Sequence, residues 1–213
     1  MSELGSWESY FYPETIDPHT RQGTLRNLFG VRDAEELKRL EYVEVAGRTV
    51  QLQIGEESIC KTFDANHLRA IHRHLFQDVY EWAGEFRTVE IYKGPGREFG
   101  NINDGEMLRY LSDVTKLVRS QDWLALKRDD FVEAIAKVFA YLNQAHPFRE
   151  GNGRTSKLFM QDVSALSPFH FDFALVSPEI WAQASALSRP DLFGYEPEPA
   201  SLIPVFEAIT LPR

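Results

Sequence analysis

The sequence predicts a mainly α-helical protein with one small β-hairpin. Apolar residues recur at steps of three and four along most of the chain, which is the spacing of helices with one buried face. Only residues 88–92 (TVEIY) alternate like a strand; the Gly-Pro-Gly run at 94–96 predicts a turn, from which residues 97–99 return. Because a lone hairpin is unstable in water, we expect it to lie on the helical body.

Capping residues ahead of apolar runs mark where the helices begin. The predicted starts lie at Asp33, Asp64, Asn103, Asp130 and Ser177, and a last helix carries Leu202, Val205, Phe206 and Ile209. The helix from Asp130 has the clearest buried stripe. It should end near Gln144 or Ala145, because Pro147 disfavours helical conformation in the residue before it.

Length and composition indicate one soluble domain. The 213 residues suit a single domain over 1–213, with a core at roughly 30–190, an N-terminal wrap and a C-terminal helix. The net charge of −9 argues against non-specific binding to nucleic acid or to an anionic membrane. No apolar run reaches the roughly 18 residues of a membrane span. The acidic, aromatic start lacks the features of a signal peptide, so we expect a cytoplasmic protein.

The densest chemistry lies in residues 146–157, HPFREGNGRTSK. Pro147 ends one helix and the next is expected to begin near Gly151 or Asn152, so the segment is a helix, a tight loop and a helix. Backbone N–H groups at a helix N-terminus bind anions, phosphate above all. Arg154 and Lys157 are three residues apart and are expected to share a face beside that anion site.

Two further residues extend this anion site into a candidate reaction centre. Glu150 would repel a phosphate unless a Mg²⁺ ion lay between them. Histidine is the side chain that ordinarily titrates near neutrality, and His146 lies at the loop's other edge, where it is placed to accept a proton. Taken singly, each residue also has a bland interpretation: His146 as a helix cap, and the charged residues as solvated surface. Their joint spacing favours a triphosphate site with a metal and a general base.

The run HPFREGNGRTSK resembles the signature of the Fic (Fido) family, H-x-F-x-D/E-G-N-G-R-x-x-R. The matched positions are His146, Phe148, Glu150, Gly151, Asn152, Gly153 and Arg154. Residues 75–94 are similar to the family's segment leading into its flap hairpin, and residues 10–41 resemble the N-terminal part of bacterial members that act as toxins. The resemblance covers roughly residues 10–165. It implies a Fic-type helical bundle with the hairpin as a flap beside the active-site loop.

The resemblance also implies an activity: a protein adenylyltransferase moves AMP from ATP to a Ser, Thr or Tyr hydroxyl of a target protein and releases pyrophosphate. It assigns His146 as the base and Glu150 as the ligand of Mg²⁺. Residues 151–153 are the phosphate cradle, and Arg154 holds a terminal phosphate. The flap residues expected to line ATP and to pair with an extended target segment are Ile91, Tyr92, Lys93 and Gly94.

Lys157 departs from the signature, which usually has arginine there. Lysine keeps the charge but lacks the bidentate fork, so we expect weaker alignment of the γ-phosphate and less efficient AMP transfer. Two alternatives stay open. One is a transferase of the same fold that uses another donor, such as UTP, or moves phosphate itself. The other is a non-catalytic nucleotide-binding or interaction module.

A regulatory motif of many Fic proteins, Ser/Thr-x-x-x-Glu-Gly/Asn, is missing from this sequence. The only glutamate followed by glycine or asparagine is Glu150, inside the loop itself. The resemblance leaves two interpretations: a separate small antitoxin supplies the inhibitory glutamate, with Lys157 as its expected partner, or the protein is regulated differently. By analogy with bacterial relatives, a topoisomerase subunit is the expected target.

Overall fold

The computed structural model describes residues 5–92 and 98–213. In these residues the helices and strands are, in chain order, α1 (Ala34–Gln53), α2 (Ala65–Phe76), α3 (Glu106–Arg119), α4 (Arg128–Ala145), α5 (Asn152–Ser164), β1 (Phe169–Phe171), α6 (Pro178–Leu187), α7 (Ile203–Ile209) and β2 (Thr210–Pro212). The prediction of a mainly α-helical fold is confirmed.

Helix α4 lies at the centre of the bundle. Its apolar stripe is almost completely buried, at Phe131, Ile135, Val138, Phe139 and Leu142. Helices α3, α5 and α7 pack directly against it, α2 packs against α5, and α1 packs against α2. Because α4 and α5 are consecutive and in contact, the loop between them lies at a corner that the core fixes from beneath.

Most predicted helix starts are confirmed by their caps. The carboxylates of Asp33 and Asp64 and the hydroxyl of Ser177 each accept a backbone N–H from the first turn that follows. The predicted start at Asp130 is wrong, since this residue lies in the first turn of α4, which begins at Arg128 behind Lys127. The predicted cap at Asn103 is also wrong, since α3 begins at Glu106 behind Gly105, whose φ of 76° lies in the left-handed region. Asn103 instead donates its side-chain amide to Glu90 at 3.1 Å.

The two-stranded sheet does not lie where the sequence predicts it. Strands β1 and β2 pair antiparallel near the C-terminal end, with Phe171 opposite Thr210. Residues 88–92 and 98–99 have no strand pairing, and the predicted turn at 94–96 lies outside the described residues. The alternation at 88–92 reflects burial instead: Val89 and Ile91 enter the core, while Arg87 donates to the Val89 carbonyl at 2.8 Å.

The N-terminal segment, residues 5–33, lies against the same core. Tyr10 and Phe11 are buried, and Phe11 forms an isolated antiparallel bridge with Leu25. The hydroxyls of Tyr10 and Thr88 are 3.0 Å apart. Within residues 5–92 and 98–213, no helix is both long and apolar enough to cross a membrane.

Candidate active site

His146 is the residue at which α4 ends. Its φ is 42°, in the left-handed region, and its N–H donates to the Leu142 carbonyl at 3.3 Å. Pro147 follows and cannot continue the helix. The interpretation of His146 as a helix cap is therefore confirmed, since this residue is the C-cap of α4. The same geometry turns the chain sharply and sets the imidazole at the start of the loop.

The ring and backbone of His146 are held by neighbours that sequence reasoning did not identify. The imidazole stacks on Phe99 with 3.8 Å between ring centroids. Its carbonyl accepts from Nε of Arg87 at 2.9 Å, and the Arg87 backbone N–H donates to the Pro147 carbonyl at 2.8 Å. Burial lowers the pKa of Arg87, but the carboxylate of Glu90 offsets part of this effect from 3.0 Å. Arg87 thus fixes His146 to the segment that follows residue 87.

Phe148 and Asn152 close the loop on itself. The Phe148 N–H donates to Oδ1 of Asn152 at 2.9 Å, and Nδ2 of Asn152 donates back to the Phe148 carbonyl at 2.7 Å. Both hydrogen-bonding ends of the asparagine side chain are therefore used within the protein. Asn152 can contribute to an anion cradle through its backbone N–H, while its side chain sets the loop's shape.

His72 holds the loop from below. Its Nδ1 accepts the Gly84 N–H at 2.8 Å, so the ring proton is on Nε2, which donates to the Glu150 carbonyl at 3.1 Å. The ring stacks on Phe148 with centroids 4.0 Å apart. Burial lowers the pKa of His72 to about 4, which keeps it neutral. The sequence offers a histidine on a helix here, but no signal for this role.

Gly151 begins the anion-binding end of α5. Its φ is 77°, and a Cβ built on it would come within 2.3 Å of the Phe76 ring, so only glycine fits. The N–H groups of Asn152, Gly153 and Arg154 lie in the first helical turn, where no acceptor exists within the helix. Together with the helix dipole they form a site for phosphate oxygens.

Glu150 is the residue best suited to hold a metal ion at this site. Its side chain is 47% exposed, and Oε1 accepts the Gly151 N–H at 3.0 Å, which directs the carboxylate toward the helix N-terminus. Among the residues that the structure describes, no three His, Cys, Asp or Glu side chains form a metal cluster. A single hard oxygen donor beside a phosphate site fits Mg²⁺, which takes its other ligands from phosphates and water.

The two cations expected to share one anion site contact different parts of the protein. Arg154 donates from Nη2 to Glu41 of α1 at 2.5 Å. The ammonium of Lys157 lies 5.0 Å and 5.1 Å from the ring centroids of Phe173 and Trp181. Burial against these rings lowers the pKa of Lys157. The contacts in this structure therefore do not bring the two side chains to a common group.

The flap residues are placed in part. Ile91 is buried, at 4% exposure, and Tyr92 is exposed. Lys93 and Gly94 lie outside the described residues. Contact of these four residues with a nucleotide or a target segment therefore stays a prediction.

Arg149 connects the loop to the N-terminal segment. It is buried, and its guanidinium carbon lies 3.9 Å from the centre of the Trp7 ring and 5.1 Å from that of Phe11. Such stacking suits arginine, whose planar cation is attracted to aromatic faces. Desolvation lowers the pKa of Arg149. Apart from the aromatic character of the N-terminal segment, the sequence offers no signal for this contact.

A fixed histidine and an anion-binding helix N-terminus, joined by a tight loop with an exposed glutamate, define a class of proteins that bind phosphorylated ligands beside a potential base. The Fic/DOC family profile matches residues 62–163. The protein adenylyltransferase VbhT of Bartonella schoenbuchensis is 35% identical over 177 residues, which are 82% of this chain and 36% of that protein. The probable protein adenylyltransferase y4lH of Sinorhizobium fredii is 31% identical over 180 residues, which are 81% of this chain and 88% of y4lH.

A solved structure agrees with these relatives. The BepC protein of Bartonella tribocorum, crystallised with bound AMPPNP, superposes with a TM-score of 0.80 at 26% identity and covers 97% of this chain and 98% of that one. This chain belongs to the Fic/DOC family. It spans about a third of the length of VbhT and most of the length of y4lH.

Proposed function

We propose that this chain is a protein adenylyltransferase that transfers AMP from ATP to a Ser, Thr or Tyr hydroxyl of a target protein. The observation that carries the proposal is the fixed loop from His146 to Gly151, which sets a base and an anion-binding helix N-terminus on the two sides of one corner. The relatives named adenylyltransferases and the AMPPNP-bound neighbour support a nucleotide as the ligand of that corner.

In this proposal each residue of the candidate active site has a defined role in the reaction. The N–H groups that begin α5 bind the phosphates, and the target hydroxyl attacks the α-phosphorus while its proton passes to the imidazole of His146. The bond to the β-phosphate oxygen breaks and pyrophosphate leaves, with its charge stabilised by Arg154. Glu150 would hold Mg²⁺, which neutralises phosphate charge when bound. Phe99 and Arg87 keep His146 in place throughout.

The remaining assignments are extensions of the same proposal. Ile91, Tyr92, Lys93 and Gly94 line the nucleotide and pair with the target segment, and the chain works as one domain in the cytoplasm. A small antitoxin supplies a glutamate to Lys157, whose half-buried ammonium contacts aromatic rings. A topoisomerase subunit is the target by analogy. Co-expression with the neighbouring reading frame tests the antitoxin: relief of growth inhibition supports it, and unchanged growth in both cultures contradicts it.

One labelling experiment tests the reaction itself. The protein is incubated with cell lysate, Mg²⁺ and ATP labelled at the α- or the γ-phosphate, beside His146→Ala and the matched control His19→Ala, whose side chain is exposed. We expect label from the α-position only, lost in His146→Ala and after chelation by EDTA, and retained in His19→Ala. Label from the γ-position only would overturn AMP transfer, and label from α-labelled UTP alone would identify another donor. No label from any donor would favour a non-catalytic module.

A further inference from the structure

Glu41 is a buried carboxylate that contacts the active site from a distant part of the chain. It lies in α1, 113 residues before Arg154, and is 8% exposed. Its Oε1 accepts from Nη2 of Arg154 at 2.5 Å, and its Oε2 accepts from the hydroxyl of Tyr80. A buried charge is costly unless it is paired, and here the partner is the arginine of the nucleotide site.

The contacts of Arg154 leave part of its guanidinium available. Nη2 is bound to Glu41, and the planar group lies over the Phe76 ring, 4.7 Å from its centroid. The side chain is nevertheless 36% exposed, and its described hydrogen bonds do not involve Nε or Nη1. Arginine has five N–H donors in a rigid fork, so it can keep Glu41 on one side and donate to a second anion on the other.

An open cavity lies beside this ion pair. Glu41, Tyr80, Glu150 and Arg154 all belong to its lining, and its volume is about 530 Å³. Glu150, the proposed metal ligand, is 4.0 Å from the same Nη2. Arg154 therefore lines an open cleft together with Glu150, which lies two residues before the first residue of α5.

We propose that Glu41 is a positioning residue: supported by Tyr80, it holds Arg154 so that the guanidinium is already oriented toward the phosphates before a nucleotide binds. The proposal rests on the proposed function, because it assigns the spare donors of Arg154 to phosphate. Holding an arginine in place in advance removes the entropy cost of ordering it during binding and reaction. Burial and the Tyr80 hydroxyl keep the carboxylate on Nη2 and away from the other donors.

The direction in which ATP affinity changes when the charge of Glu41 is removed distinguishes a positioning role from competition with phosphate for Arg154. A negative charge near bound phosphates repels them, so removing it should tighten ATP binding if Coulomb repulsion were all that mattered. A positioning carboxylate gives the opposite result, because its loss frees the arginine. The variant Glu41→Gln keeps the size and the hydrogen bond to Tyr80 while removing the charge, and Tyr80→Phe removes only the support.

The test measures ATP affinity by calorimetry, and kcat and KM for AMP transfer. We expect Glu41→Gln to weaken ATP binding about 10-fold and to lower kcat, as suits a lost charge-assisted hydrogen bond. Tyr80→Phe should act in the same direction by about 3-fold. Glu44→Gln is the matched control on the same helix, and it should match the wild type. In an Arg154→Lys background, Glu41→Gln should change ATP affinity by less than about 2-fold, since the two residues act as one unit.

Three outcomes would overturn the proposal. Tighter ATP binding or faster transfer in Glu41→Gln would make Glu41 a competitor of phosphate. Unchanged affinity and unchanged kcat would show that the pair has no part in the site. Effects that add fully in the double variant, together with a lowered Tm in Glu41→Gln, would show a purely structural role. The ATP affinities of the wild type and of the single and double variants can be measured without AMP transfer. A wild-type protein that binds ATP without labelling any protein would therefore overturn the proposed reaction, and these affinities would still test the role of Glu41.

Discussion

The loop of residues 146–152 and the exposed face of the first turn of α5 are neighbours, but they differ in how closely other protein atoms surround them. In the loop, protein atoms fix each feature: His72 holds the Glu150 carbonyl, and the Phe76 ring excludes any side chain at Gly151. On the exposed face, a Cβ at Gly153 would meet nothing within 4 Å. The fold accounts for the loop residues, whereas the described contacts do not require glycine at position 153.

The largest expected effect comes from adding one methyl group inside the loop. In Gly151→Ala, the left-handed φ and the clash with the Phe76 ring should together cost about 2–4 kcal/mol of unfolding free energy. Chemical denaturation measures this cost, and AMP transfer should fall to the level of His146→Ala. If the variant unfolds at the wild-type denaturant concentration, protein packing does not determine the loop.

The support beneath the loop should make stability depend on pH. The pKa of His72 is lowered from 6.5 to about 4, so between these values the unfolded chain binds a proton that the folded protein does not. Above pH ~6.5, protonation of His72 therefore does not reduce the free energy of unfolding. As the pH falls from ~6.5 toward ~4, the free energy of unfolding decreases progressively, by about 3 kcal/mol in total.

Denaturation of the wild type and of His72→Asn in EDTA-containing buffer at several pH values measures this dependence. The variant should be less stable at pH 7 and should show a smaller decline in unfolding free energy as the pH falls. Equal slopes in the two proteins would show that His72 is not held neutral by the fold.

Gly153→Ala tests the other side of the comparison. Because the space at Gly153 is open, the fold should be as stable as the wild type or more stable by up to about 1 kcal/mol, since alanine favours helix. The methyl group would lie where phosphate oxygens approach the helix N-terminus, so ATP affinity should fall about 10-fold. Calorimetry measures the affinity and thermal unfolding the stability. Wild-type affinity would place the phosphates elsewhere.

The sequence predicted those features of the fold that depend on residues close together in the chain. The caps at Asp33, Asp64 and Ser177 and the turn at Pro147 depend on residues a few positions apart, and the structure has them. The prediction failed where local spacing was ambiguous: the alternation at 88–92 belongs to a segment that buries Val89 and Ile91 without strand pairing, and Gly105 rather than Asn103 caps α3.

The supports of the loop could not be predicted, for a physical reason. Arg87, His72 and Glu41 lie 59, 78 and 113 residues from the loop or helix groups that they bind. Each looks in the sequence like an ordinary charged or polar residue of a helix or turn. Only the packing of α1 against α2 and of α2 against α5 brings Glu41 to Arg154 and His72 to the loop, and no periodicity encodes these contacts.

The smallest expected effect is at Lys157, where the signature has arginine. Lys157→Arg keeps the charge and suits the faces of Phe173 and Trp181, so stability should change by less than about 0.5 kcal/mol. A guanidinium is longer and forked, and it should reach a terminal phosphate while stacked on the rings, so AMP transfer should rise about 2- to 5-fold, mostly through a lower KM for ATP. Lys157→Met is the paired variant, because it keeps the apolar stem and removes the charge. If lysine already contacts phosphate, Lys157→Met should lose several-fold in affinity; if both variants match the wild type, the cation at 157 has no part in nucleotide binding, and its contact with the rings is its whole role.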